Sequence, residues 1–341
     1  MNITNNSRLI ASKVYVAGHR GLAGSAIMRR LEREGCTSIV TRTHAELDLT
    51  NQAEVVRFFM EERPEYVFLA AAKVGGILAN NTRPAEFIYE NLAIQTNVMQ
   101  AAHEIGVRRL LFLGSSCIYP RDCPQPIREE YMLSAPLEPT NRSYAVAKIA
   151  GIEMCWAFNR QYGTQYIAVM PTNLYGPNDN YDLTGSHVLA ALLRKTHEAK
   201  VTGASEVSVW GTGTVRREFL HSDDMADACV FLMNLPDAVY GPIAQSESQA
   251  PLLNVGCGQD LTVRELAELI GEVVGFKGQL VFDTAKPDGT PRKLLDVSRM
   301  KELGWQANIP LREGLTAVYQ EYLEGYGAAL QLSGDGTEAV E

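Results

Sequence analysis

Ser115, Tyr144 and Lys148 are residue types that together can manage the proton accompanying a hydride transfer. Tyr144 and Lys148 stand four residues apart in Tyr144-Ala145-Val146-Ala147-Lys148, a spacing that puts both on one face of a helix. A free phenol titrates near pH ~10, too high for acid–base work near neutrality, and a neighbouring ammonium stabilises the phenolate. Ser115 would hydrogen-bond the substrate oxygen. Cys117 lies two residues past Ser115, and His187 follows the breaker cluster Gly176-Pro177-Asn178-Asp179-Asn180. Thiols and imidazoles are the side chains brought close to neutral pKa with the least perturbation. Spacing alone leaves ordinary alternatives: an exposed helix pair for Tyr144 and Lys148, a buried small side chain for Cys117, and a surface or core histidine for His187.

These residues need elements to position them. Val14-Tyr15-Val16-Ala17 runs directly into Gly18-His19-Arg20-Gly21-Leu22-Ala23-Gly24, a strand, glycine loop and helix start in which the glycines have separate tasks. One makes the tight turn, one lets backbone approach a pyrophosphate, and one lets helix and strand pack closely. The helix N-terminus then presents unpaired N–H groups to phosphate. An NAD site commonly carries Asp or Glu about 20 residues beyond the loop to hold the ribose 2′-hydroxyl. Here Arg42-Thr43-His44 occupies that place. With Arg20 inside the loop, positive charge stands where a 2′-phosphate would sit, which favours NADPH over NADH.

The 341 residues allow about two domains at roughly 150 residues each. Apolar runs predict strands at 13–17, 38–41, 66–70, 109–114 and 166–170, with helical patterns between them, including 91–106 and 144–162. That alternation predicts an α/β fold with a Rossmann-type doubly wound parallel sheet. Later strands at 206–210 and 252–255, with helices at 222–235 and 262–274, imply that the chain passes between lobes. The expected division gives 1–180 and about 219–257 to a nucleotide-binding domain. About 181–218 and 258–326 then form a smaller, discontinuous α/β substrate lobe, and 327–341 a disordered tail. A net charge of −9 offers no basic field for nucleic acid. The six cysteines form no CxxC pair and no cluster with histidine, so neither a metal site nor a disulfide framework is expected. The polar N-terminus does not read as a secretory leader, and no run reaches the ~18 apolar residues of a membrane span. A cytoplasmic protein with no membrane partner is expected.

Several segments occur in the order found in one enzyme group: Leu69-Ala70-Ala71-Ala72, Leu113-Gly114-Ser115-Ser116-Cys117-Ile118-Tyr119-Pro120, Pro171-Thr172-Asn173-Leu174-Tyr175-Gly176-Pro177, Val209-Trp210-Gly211-Thr212-Gly213, and Arg217-Glu218-Phe219. With Tyr144 and Lys148 they resemble the extended short-chain dehydrogenase/reductase superfamily, whose members mostly modify nucleotide sugars. Lys73-Val74-Gly75-Gly76-Ile77, Asn80-Asn81 and Lys286-Pro287-Asp288-Gly289-Thr290-Pro291-Arg292-Lys293 narrow the resemblance, over about 13–325, to the GDP-L-fucose synthase family. Related dehydratases carry Asp-Glu where Ser116-Cys117 stand, and water elimination lacks its proton carriers without that pair.

The resemblance implies 3,5-epimerisation and NADPH-dependent 4-reduction of a GDP-4-keto-6-deoxy sugar, commonly by a homodimer. It assigns Cys117 and His187 as acid and base at C3 and C5, leaving open which serves which carbon. It implies cofactor contacts at the glycine loop, Arg42, His44, Leu113, Gly114, Ser115, Ser116, Tyr144, Lys148, Pro171, Thr172, Asn173, Leu174 and His187. Relatives often carry arginine at the position of His44, so Arg42 is the stronger candidate there. Lys195, Trp210, Arg217, Asp288 and Arg292 are the implied contacts of the GDP-sugar. A different reaction class, a nucleotide-sugar C4 epimerase with retained NAD, is the second reading; a silent nucleotide-binding partner would not be expected to keep Ser115, Tyr144 and Lys148.

Overall fold

The computed structural model describes residues 7–327 except Thr184 and Pro287, so the expected tail lies outside the described residues beyond Gly327. Strand β1 (Val14–Ala17) leads through the glycine loop into α1 (Leu22–Glu34), which ends at Gly35 with φ +90°. The left-handed turn there is one that glycine adopts without a Cβ penalty. Ala26, Ile27 and Leu31 form the buried face of α1, as the sequence spacing predicts. The chain continues through β2 (Ile39–Val40), α2 (Gln52–Glu62), β3 (Tyr66–Leu69), short α3 (Ile77–Thr82), α4 (Pro84–Ile105), β4 (Arg109–Leu113), α5 (Arg142–Tyr162) and β5 (Tyr166–Pro171).

Helix α4 begins at Pro84 rather than Asn91. Proline suits the first helical position, where no N–H is needed, and the exposed first turn carries no apolar rhythm to betray it. Beyond β5 come β6 (Asn173–Tyr175), α6 (Val188–Thr202), β7 (Glu206–Trp210), β8 (Arg216–His221), α7 (Ser222–Asn234), α8 (Asp237–Ala244) and β9 (Leu252–Val255). The last stretch holds β10 (Asp260–Thr262), α9 (Val263–Val274), β11 (Gln279–Asp283), β12 (Arg292–Lys293), α10 (Ser298–Leu303) and α11 (Leu311–Tyr322).

The main sheet is parallel throughout, in the order β2-β1-β3-β4-β5-β9. Its strand order reverses between β1 and β3, and ligands of such sheets bind outside the carboxyl ends at that switch point. Alternation along β1 sends Val14 and Val16 into one core, with Ile27 and Cys229, and Tyr15 and Ala17 into the other, with Phe59 and Ile152. Both faces are therefore covered, which accounts for strands that are apolar at every position.

In the second sheet β8 pairs antiparallel with β10 and parallel with β12, and also carries β6. A parallel β7–β11 pair flanks a third core containing Leu189, Leu193, Val209, Ile270 and Leu315. Two details refine the expected division: β6 enters the second sheet ahead of residue 181, and Met300 and Trp305 pack back into a core of the main sheet. Among the described residues no helix is long and apolar enough to cross a membrane.

The glycine loop is tied to this packing. Gly18 takes φ +82°, and a Cβ there would stand 2.7 Å from Ala71 N, at the end of β3. A Cβ on Gly24 would run into the Gly18 carbonyl oxygen and lie 2.9 Å from His19 Cα. Neither neighbour is a flexible side chain, so the contact cannot be relieved by a rotamer change. Gly24→Ala is expected to lower stability by about 1–3 kcal/mol and to weaken NADPH binding, measured by urea unfolding and fluorescence titration; unchanged values in both would contradict the role given to Gly24.

Candidate active site

Helix α1 opens on Gly21, with no side-chain cap and no acidic residue in its first turn. Its leading N–H groups are thus left for an anion, as a dinucleotide pyrophosphate requires. His19 Nδ1 is buried without a hydrogen-bond partner among the described residues, a further polar group for that ligand to meet. These features fit a dinucleotide. Arg20 and Arg42 both lie within electrostatic reach of Glu46, whose carboxyl is held below its usual range first by hydrogen bonds from Thr43. The structure thus brings the two arginines to one end of β2. Arg42 is also engaged: it pairs with Glu62, donates to Thr41 O at 2.8 Å, and lies over the Phe58 ring at 5.3 Å. His44 is exposed and lies within electrostatic reach of Asp48.

The end of β4 supplies the next part. Gly114 N donates to Val169 O at 2.9 Å, and the Ser115 hydroxyl accepts from Cys117 N at 3.3 Å, turning the backbone so that Cys117 follows directly. Lys148, only 3% exposed, donates to Leu113 O at 2.8 Å and stands 5.8 Å from the Tyr144 ring centre. Burial pushes its pKa down to about 7.

Tyr144 departs from the expectation that lysine lowers its pKa. Burial pushes the phenol up, the nearby Cys117 adds to this, and a hydrogen bond with Ser115 opposes it without prevailing. Desolvation of the charged form is the dominant influence here. Tyr144 consequently keeps its proton at neutral pH, the state needed to donate it. Pro171 closes β5, while Thr172 Oγ1 and Asn173 Nδ2 donate to Glu218 O at 3.1 and 2.8 Å. Leu174 packs in the main-sheet core.

Cys117 and His187 both lie within reach of a residue that sequence spacing did not single out. Lys293 Nζ stands 3.8 Å from Cys117 Sγ, and its charge also reaches His187. His187 caps α6 at the surface of the cleft, solvent-exposed yet closely surrounded by protein. That surrounding is the first cause of its lowered pKa, and the Lys293 cation is the second. Asn141 Nδ2 completes the group at 3.2 Å from Cys117 Sγ, with its Oδ1 buried and unpartnered among the described residues.

Across the cleft, Lys195 Nζ lies 5.2 Å from the ring centre of Trp210, which is 56% exposed. Asp288 accepts from Thr212 N at 2.8 Å and from Thr212 Oγ1 at 2.9 Å, and Arg217 Nη2 approaches Asp288 O at 3.5 Å. Burial lowers the Arg217 pKa, with Asp288 opposing. Lys195, Trp210, Arg217 and Asp288 thus share one side of the second lobe. Arg292 does not join them, because in β12 it registers with Arg216 and both pair with Asp260, whereas Lys293 registers with Arg217. Neighbouring strand residues point to opposite faces, so the site receives Lys293. Strand alternation orients it once β12 has formed, but a two-residue strand announces no pattern in the sequence, and Asn141, three residues before Tyr144, likewise had no signal.

The model of the NAD dependent epimerase/dehydratase family matches residues 14–244. The chain belongs to that family. Within the family it is 59% identical over 314 residues to GDP-L-fucose synthase 1 of Arabidopsis thaliana, covering 92% of this chain and 94% of the relative. It is 54% identical over 312 residues to the GDP-L-fucose synthase of Escherichia coli K12, covering 92% and 97%. A GDP-D-glycero-L-gluco-heptose synthase of Campylobacter jejuni, solved in the presence of NADPH, superposes with a TM-score of 0.85 at 40% identity, covering 91% of this chain and 98% of that one.

The lowered pKa of His187 has a defined sign in a pH profile. As pH falls, the imidazole gains its proton at a lower pH than an unperturbed histidine would. Deuterium exchange that uses His187 as base is expected to lose rate below pH ~6.5, with the limb absent in His187→Gln. A limb at or above that pH in the parent protein would contradict the environment described for His187.

Proposed function

We infer that this chain converts GDP-4-keto-6-deoxy-D-mannose to GDP-L-fucose, inverting C3 and C5 and then reducing C4 with NADPH. The observation that carries the mechanism is a thiol and an imidazole sharing one cation, Lys293, beside a protonated Tyr144. A C4 ketone acidifies the protons on its two neighbouring carbons. Ser115 and Tyr144 hydrogen-bond the ketone oxygen and stabilise the enolate left when a proton is removed. One of Cys117 and His187 takes that proton, and the other returns one to the opposite face, inverting the centre. When bound, NADPH supplies the hydride that C4 takes up. Tyr144 then gives its proton to the C4 oxygen, with Lys148 nearby to offset the phenolate charge.

Lys195 and Arg217 are suited to neutralise a diphosphate, and Trp210 and Asp288 to contact the base or sugar; these roles are proposals supported by their grouping on one side of the second lobe. The alternative of a C4 epimerase with retained NAD is not favoured, given the GDP-L-fucose synthases among the relatives. The discontinuous substrate lobe is likewise proposed, with β6 included in it. A homodimer through the outer faces of α4 and α5 is supported by exposed Tyr89, Val146 and Tyr162 on those helices. Six free cysteines accord with a reducing compartment such as the cytoplasm.

Incubation with the 4-keto GDP-sugar and NADPH in deuterated water tests the whole reading. The expected product is GDP-L-fucose carrying deuterium at C3 and C5, with one NADPH consumed per product; epimerisation without NADPH consumption would favour the alternative. Cys117→Ser is expected to abolish deuterium uptake while sparing NADPH binding, and normal uptake would remove Cys117 from the mechanism. Tyr144→Phe should lower the reduction rate by about 100-fold or more while NADPH still binds, and turnover at the parent rate would refute its role as proton donor.

A further inference from the structure

Residues 73–80 run from the end of β3 past the active site, yet the mechanism above uses none of them. They bond to the turn that bears His187 and reach Cys117 and Tyr144 through Asn141 and Phe87. Gly76 N donates to Gly185 O at 3.0 Å, two residues before His187. On the other side of that bond, Gly185 N donates to Asp182 Oδ1 at 2.7 Å and Ser186 N to Asp182 O at 3.0 Å, forming the turn that delivers His187 to the head of α6. Behind Gly76 stands Asn80, a buried amide whose Nδ2 donates to Gly75 O at 2.7 Å and Gly76 O at 3.1 Å. Asn80 Oδ1 is buried with no partner among the described residues. Such an orphan acceptor is unfavourable, so the two donated bonds are what retaining the amide achieves.

The same segment reaches the other two groups. Helix α3 packs against the turn Pro139–Asn141, whose Asn141 donates to Cys117 Sγ. Gly75 lies under Phe87, where a Cβ would stand 3.1 Å from Cζ, and Phe87 meets the Tyr144 ring edge-on at 6.2 Å. Asn91 fixes the start of the segment, accepting from Lys73 N at 3.2 Å and donating to Lys73 O at 3.0 Å. One short stretch of backbone is therefore fastened to the main domain at Asn91 and to the His187 turn at Gly185. It also packs on the turn that holds Asn141 against Cys117.

We propose that Gly76 and Asn80 are positioning residues that set His187 against Cys117, so that the two inversions depend on the Gly76–Gly185 backbone bond. This rests on the function inferred above. A proton carrier must sit within hydrogen-bond reach of the carbon it serves, and a shift of about 1 Å is enough to cost up to a hundredfold in rate. Asn80→Ala removes both donors that hold the Gly75 and Gly76 carbonyls. Gly76→Ala keeps the N–H, but its methyl would stand 3.2 Å from Ser186 O and 3.3 Å from Gly185 O, pushing the His187 turn away.

The test is solvent deuterium uptake into GDP-4-keto-6-deoxy-D-mannose, measured for the parent protein, Asn80→Ala, Gly76→Ala, His187→Gln and the Asn80→Ala/His187→Gln pair. Each single positioning variant is expected to lower the exchange rate at saturating substrate by about tenfold or more, with NADPH affinity and substrate KM within about twofold. In the His187→Gln background, Asn80→Ala should change the residual rate by less than about twofold, since residues acting through one another are not additive. An unchanged rate in both positioning variants would overturn the proposal, as would a loss that multiplies fully onto His187→Gln or one accompanied by collapse of NADPH binding. Absence of exchange in the parent protein would instead count against the inferred function. If Asn80→Ala does not fold, Gly76→Ala, alone and paired with His187→Gln, carries the same comparison.

Discussion

A single buried glutamate ties the second sheet to the end of the main one. Glu218, in the middle of β8, has no exposed surface, and its side chain accepts from Gly258 N at 2.7 Å and Leu295 N at 2.9 Å. Its own carbonyl accepts from Thr172 and Asn173, where the chain leaves the main sheet. Three separate segments, at Thr172 and Asn173, at Gly258 and at Leu295, therefore converge on one residue. Burial pushes the Glu218 pKa up, while backbone donors from Leu295 and Gly258 oppose the shift. An isolated carboxylate would be strongly disfavoured in such surroundings, and only this set of donors makes its position tolerable. Gly256 reflects the same crowding, since a Cβ there would collide with the carboxylate.

The consequences run directly into the chemistry. Leu295 lies two residues beyond Lys293, so fixing its N–H fixes the strand that carries the ammonium toward Cys117 and His187. Thr172 and Asn173 likewise fasten the exit from β5, beside the end of β4 where Ser115 turns toward Cys117. The site is built from the carboxyl ends of the main-sheet strands on one side and the second sheet on the other. Its electrostatics follow from enclosure. Burial keeps Tyr144 protonated and lowers Lys148, while desolvation and then the Lys293 charge lower the pKa of His187.

Much of the fold was legible in the chain because its signals are local. The glycine spacing from Gly18 to Gly24 announces a strand, turn and helix, and apolar runs locate five strands of a sheet covered on both faces. Less was legible where the signal is exposed or very short. The first turn of α4 exposes Pro84, Ala85 and Glu86 and buries only Phe87, too little for a helical rhythm to mark where the helix begins. Strand β12 spans only Arg292 and Lys293, too short for any pattern to form.

The chemical vocabulary was already in the sequence: a glycine loop suited to a dinucleotide with Arg20 and Arg42 near it, the residue types Ser115, Tyr144 and Lys148 at a spacing compatible with proton handling, and Cys117 two residues past Ser115. Those choices depend on residue type and short spacing, which a chain carries before it folds. Tertiary structure alone decided that Lys293 rather than Arg292 faces the thiol and that burial rather than Lys148 governs the Tyr144 proton. It also decided that the backbone of Gly76 braces the turn bearing His187. Each of these depends on segments more than one hundred residues apart in the chain, or on how much water a side chain has lost, and neither quantity exists until the two lobes close on one another.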